Sequence, residues 1–194
     1  MTRKELFQMI FIMTLVASLC GGALAMVKIN TRDQIEYQQI LFVKEPALKK
    51  ILPEGFDNDP VSDRMTISLD DRIITVFPAE KDGALTAVAF ESYAGGYAGP
   101  VGVMLAIDPA QNRLINAAVT THSETPGLGT RIIDVASFAE QFEDAPLDKD
   151  FRLRSDGGTI HGITGATVSA AAKANAVHKG IDLFQEFRGK LKLD

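Results

Sequence analysis

The chain has 194 residues, is 46% hydrophobic and carries a formal charge of -5, a balance that excludes a basic nucleic-acid surface because no Lys/Arg-rich tract offsets it. Its single cysteine, Cys20, excludes an internal disulfide framework, a four-thiolate zinc site and an iron–sulfur cluster ligated by this chain alone. The length suits one compact domain plus one further segment.

Residues 7–27 are apolar apart from Gln8, Thr14, Ser18 and two glycines. At ~1.5 Å per residue this run crosses a hydrocarbon core of ~30 Å, so it predicts a transmembrane helix. Arg3, Lys4 and the small-residue stretch Ala23-Leu24-Ala25 also fit a cleavable signal. The run is longer than the ~7–15 residues of a signal core, which favours an anchor. Cys20 is expected there as a small buried hydrophobe. Lys28 and Arg32 after the run match Arg3 and Lys4 before it, leaving the charge bias almost silent on orientation. A short N-terminal tail and a large following part suit a single-pass protein of the inner (cytoplasmic) membrane, its N-terminus cytoplasmic and its soluble domain periplasmic. Membrane lipid is then an obligatory neighbour. No later segment has eighteen consecutive apolar residues.

Residues 34–52 carry Ile35, Ile40, Leu41, Val43, Leu48, Ile51 and Leu52 among charges, a helical pattern broken at Pro46 and stopped at Pro53. The Pro/Asp/Asn-rich stretch 54–63 reads as loop. Five β-type runs follow at 65–69, 73–77, 85–93, 101–107 and 113–121, separated by turns that include Asp70-Asp71. Consecutive strands of this kind predict an antiparallel meander. Alternation is imperfect in the third and fourth runs, as expected of strands covered on both faces. Residues 132–142 and 168–187 show helical spacing, the latter with Ala170, Ala174, Val177, Ile181 and Phe184 on one stripe. Clustered strands with segregated helices predict an α+β domain. The boundaries are an anchor at 1–28, a helical neck and loop at 29–63, and a globular domain at 64–194.

Three segments are dense in chemistry. Thr164-Gly165-Ala166-Thr167 runs straight into the last helix, where a phosphate would meet free N–H groups and the positive end of the helix dipole. Gly165 and Ala166 permit close backbone approach, and Thr167 supplies a hydroxyl. A plain N-cap and turn would use the same residues. Glu124-Thr125-Pro126-Gly127-Leu128-Gly129 follows the fifth strand and reads either as a turn or as a loop folded over a planar cofactor. In the segment from Tyr93 to Pro100, Gly96 would allow close contact with a ring and Tyr93 or Tyr97 would stack on it, although a hairpin explains them equally. His122-Ser123-Glu124 lacks the Pro-Cys-x-x-Cys of a zinc deaminase, and Gly127-Leu128-Gly129 lacks the strand–helix–strand context of a dinucleotide fingerprint.

Taken in order, the apolar N-terminus, Gly96-Tyr97-Ala98-Gly99-Pro100, Glu124-Thr125-Pro126-Gly127-Leu128-Gly129 and Thr164-Gly165-Ala166-Thr167 resemble the FMN-binding G subunits of Rnf electron-transport complexes. The C subunit of the sodium-translocating NADH:quinone reductase is similar. The resemblance implies that 64–194 is an FMN-binding domain and that FMN is joined through its phosphate to Thr167 by a separate flavin transferase with FAD as donor. It further implies that Thr164, Gly165 and Ala166 form the recognition sequence and that the 124–129 loop lines the flavin. Such a chain relays electrons within a complex coupling ferredoxin and NAD oxidoreduction to ion transport. Its partners are the other membrane subunits, a second covalent-flavin subunit among them. No catalytic acid or base and no independent turnover are expected. Where the family carries an acidic residue, three places before Thr164, this chain has His161. A membrane-anchored assembly module without a redox group and a tethered flavin reductase are the alternatives.

Overall fold

The computed structural model describes residues 3–69 and 72–191, so the Asp70-Asp71 turn lies outside the described residues. The chain forms two units, Met1–Leu41 and Phe42–Asp194. The first is built on helix α1, Arg3–Gln39, which passes residue 28 without interruption. Its segment Arg3–Arg32 is long and apolar enough to cross a membrane, and none of that apolar surface is covered by protein. A helix that is apolar all round needs a nonpolar surrounding. Cys20 is exposed on this helix rather than packed within protein.

The second unit opens within a π-helical turn, Ile40–Lys44, followed by α2, Glu45–Ile51. The irregularity thus precedes Pro46 instead of falling on it. Pro46 sits in the first turn of α2, where its missing N–H breaks no helical bond.

Six strands follow in one sheet: β1 Met65–Leu69, β2 Arg72–Lys81, β3 Ala84–Gly95, β4 Pro100–Asp108, β5 Arg113–Thr121 and β6 Ala145–Pro146. They pair antiparallel in sequence order, with Val76 opposite Phe90 and Phe90 opposite Leu105. Register decides which face each side chain serves. One face carries Val76, Phe90, Val103 and Leu105 against α5, Thr167–Phe187. The other carries Phe77, Ala79, Ala87, Ala89, Met104 and Ala106 against Leu48, Ile51 and Leu52 of α2. The two-sided cover explains the weak alternation of β3 and β4, and the alanines mark the face approached closely by α2.

The longest helix of the second unit, α5, is held by Phe184 and Phe187, whose ring centroids lie 6.5 and 5.0 Å from that of Phe90. At Gly180 a Cβ would come within 2.8 Å of both Leu105 methyl groups, so glycine sets this approach distance. The single helix expected over 132–142 is instead three short pieces: α3 Arg131–Asp134, α4 Ala136–Ala139 and a 3-10 turn Glu140–Phe142. Val135 separates the first two with extended φ/ψ of -86° and 103°. That kink lets Ile132, Phe138 and Phe142 all enter the core.

Candidate functional site

Three stretches distant in sequence converge on the N-terminus of α5. Thr167 is its first residue, and the preceding Ala166, with φ/ψ of -131° and 37°, contributes no side-chain cap. The opening N–H groups of the helix are therefore available to a ligand. Gly165 reaches this point with a φ of 81°, a left-handed conformation that glycine adopts at little cost. Arg131 of α3 donates from Nη1 to the Thr164 carbonyl at 2.6 Å, pinning the motif from the side. A cavity of about 400 Å³ lies between this helix start and the loop after β5. Gly165, Ala166, Thr167, Val168 and Ser169 form one wall; Tyr97, Glu124, Thr125, Leu128 and Gly129 form the other.

Glu124 joins the walls. It is only 5% exposed, its Oε1 accepting from the Ala98 N–H at 3.0 Å and its Oε2 from the Ser169 hydroxyl. Burial pushes its carboxyl pKa upward, but the Ser169 hydroxyl and the backbone N–H groups of Ala98 and Tyr97 outweigh that and hold it below the usual value. The group is an ionised clamp across hairpin, loop and helix. Two glycines make room for it: a Cβ on Gly96 would stand 2.5 Å from Oε1, and one on Gly129 would stand 2.7 Å from Oε2. The loop itself is a tight turn in which the Thr125 carbonyl accepts from Gly129 N at 2.9 Å and Gly127, with φ +73°, donates to Thr130 Oγ1 at 2.9 Å.

Most of the residues singled out in the sequence meet here. Gly96 stands behind Glu124, Gly127 forms the turn, and Thr164 presents its carbonyl to Arg131. Tyr93 lies elsewhere: its hydroxyl donates to Glu91 at 3.0 Å beside a separate cavity that includes Lys44. Sequence reasoning missed Ser169 and Arg131. Ser169 sits two residues beyond Thr167, where a hydroxyl inside a helix start reads as ordinary polarity, and Arg131 acts through a carbonyl that no sequence pattern announces. His161 is held by its backbone alone, donating to Gln141 Oε1 at 2.7 Å and accepting from Gln141 Nε2 at 3.1 Å.

The arrangement suits a phosphorylated planar ligand: helix N–H groups for the phosphate, a hydroxyl beside them, glycine-lined backbone, and the side chains of Tyr97 and Leu128 for a ring. Comparison with known proteins agrees. The FMN-binding domain family matches residues 96–182. The G subunit of the ion-translocating oxidoreductase complex of Cereibacter sphaeroides is 36% identical over 75% of this chain and 69% of its own length. The protein of the same name from Vibrio cholerae is 31% identical over 93% and 90%.

The chain belongs to the family of G subunits of ion-translocating oxidoreductase complexes.

Two solved structures share the fold of this G-subunit protein. NqrC of Shewanella oneidensis superposes with a TM-score of 0.52 at 22% identity, covering 68% of this chain and 70% of that one. The C subunit of the Na(+)-translocating NADH-quinone reductase from Parabacteroides distasonis gives 0.50 at 18%, covering 83% and 94%.

Proposed function

We infer that this G subunit is the FMN-bearing electron-transfer subunit of a membrane-bound, ion-translocating oxidoreductase complex of the Rnf type, with the flavin phosphate esterified to Thr167. One observation carries the attachment: Thr167 opens a helix that no side chain caps, on the wall of the only cavity bounded by both the 124–129 loop and the Thr-Gly-Ala-Thr motif among the described residues. When bound, FMN supplies the electron transfer. The remaining work falls to the chain. The first N–H groups of α5 bind the phosphate, Arg131 keeps the motif seated, Glu124 holds the loop against the helix, and Leu128 with Tyr97 shields a ring from water.

A separate transferase using FAD forms the ester, and a covalent link suits an exported domain that cannot draw on a cytoplasmic flavin pool. In this reading α1 anchors the chain with its N-terminus cytoplasmic and residues 64–194 outside, among the other membrane subunits, a second covalent-flavin subunit included. The chain alone has no turnover. Co-expression with the transferase, followed by ultraviolet fluorescence of a denaturing gel and peptide mass mapping, tests the ester. Flavin mass on the peptide containing Thr167 is expected, and an unmodified peptide throughout rejects it. For sidedness, Ser155→Cys in a Cys20→Ala background should react with an impermeant thiol reagent in intact cells; protection rejects export.

A further inference from the structure

A second cavity, of about 420 Å³, opens between α2, β5 and α3. Its walls include Phe42, Val43, Val119 and Ile133, and Phe42 and Ile133 are 75% and 42% exposed. At its floor lies Lys173, on α5 two turns beyond Thr167 and only 2% exposed. Among the described residues its Nζ makes one hydrogen bond, a long 3.4 Å contact to the Ile132 carbonyl, and no ion pair. The rings of Phe138 and Phe142 lie beneath it, with centroids 5.4 and 4.9 Å away.

An ammonium has three donors, and a buried donor left without an acceptor loses its hydration uncompensated. The aromatic faces soften that cost without supplying acceptors. Lys50 and Glu143 line the same cavity, so two cations face one carboxylate. The wall carries one net positive charge. A headgroup with a single negative charge balances it, and the apolar sides leave room for a hydrocarbon tail. Acetate-sized anions would leave Phe42 and Ile133 unused, and a neutral amphiphile would leave the ammonium unanswered.

We propose that this cavity binds an amphiphilic monoanion, a medium- or long-chain carboxylate whose head meets Lys173 and Lys50 and whose chain lies along Phe42, Val43 and Ile133. The site needs no flavin and stands apart from the function inferred above. The test uses the full chain in lipid nanodiscs, titrated with octanoate, octanol and acetate by calorimetry, with empty nanodiscs subtracted. Octanoate should bind saturably at one site, at least tenfold more tightly than octanol or acetate. Lys173→Met should weaken octanoate roughly tenfold to a hundredfold, the worth of hydrogen bonds to a charged group. Ile133→Glu, at the exposed mouth, should weaken it comparably through like-charge repulsion and decides the matter if the Lys173 variant fails to fold. Thr167→Ala should leave it unchanged, which separates this site from the flavin. Equal affinity for octanoate and octanol, or undiminished octanoate binding in Lys173→Met or Ile133→Glu, overturns the proposal.

Discussion

Helix α5 carries two buried charges of opposite character within its first two turns' reach. At its start the Glu124 carboxylate is met by the Ala98 N–H and the Ser169 hydroxyl, and both glycines beside it are shaped around its oxygens. Two turns on, the Lys173 ammonium has one long hydrogen bond and two ring faces. A buried charge whose hydrogen bonds are all made within the protein fixes segments to one another. One whose hydrogen bonds are left open beside a cavity is held ready for something else. Burial alone does not distinguish a structural ion from a binding group; the count of partners does.

Changing Thr167 to Ala gives the sharpest contrast. All flavin fluorescence in a denaturing gel should vanish while octanoate affinity at the Lys173 cavity persists. Next in size, Glu124→Ala strips partners from Ala98 N and Ser169 Oγ at once. It should cost about 3 kcal/mol in urea denaturation, because buried donors left unpaired lose their full desolvation energy. Glu124→Gln should recover part of that. Since the folded carboxyl pKa is lowered, the advantage of Glu124 over Gln is fully present above an unfolded value of about 4.3 and is lost as pH falls through the lower folded one. A pH-independent difference would remove the clamp from the comparison.

Lys173 predicts the opposite slope. Burial, and then Lys50, bring its pKa down from 10.5 to about 8, while Glu143 opposes them. Between those values the unfolded chain holds a proton that the folded chain has released, so stability rises with pH from about 8 to 10.5. The rise should be on the order of 2 kcal/mol once the ring contacts are set against desolvation. Lys173→Met should lack it, and parallel profiles for the two proteins would show the lysine is not buried as a cation. The smallest effect is expected from Gly127→Ala, which places a side chain at φ +73° and should cost about 1 kcal/mol, together with a looser 124–129 turn.

The five longer strands were legible because alternating and apolar runs were punctuated by Gly, Asp and Pro, and β6 was not because Ala145 and Pro146 are too few to show a period. Over 132–142 the spacing of Val135, Phe138 and Phe142 imitates one helix, yet Val135 is where the chain turns extended. Helical spacing reports which side chains point inward and is blind to a kink that keeps them inward. At the first cavity, the hydroxyl, glycine and carboxylate residues declared themselves by type. Lys173 did not. In an alanine-rich helix a lone lysine reads as the solvent face, and only the packing of α2 and the kinked α3–α4 segment over it removes it from water.

Ala166 leaves one more trace in the life of the protein. Newly made chains begin helix α5 with only water at its amides, so that turn should be the first to fray and the easiest for a protease to nick. Once an ester is in place, its phosphate closes the same turn, and finished molecules should outlast unfinished ones in the membrane that houses both.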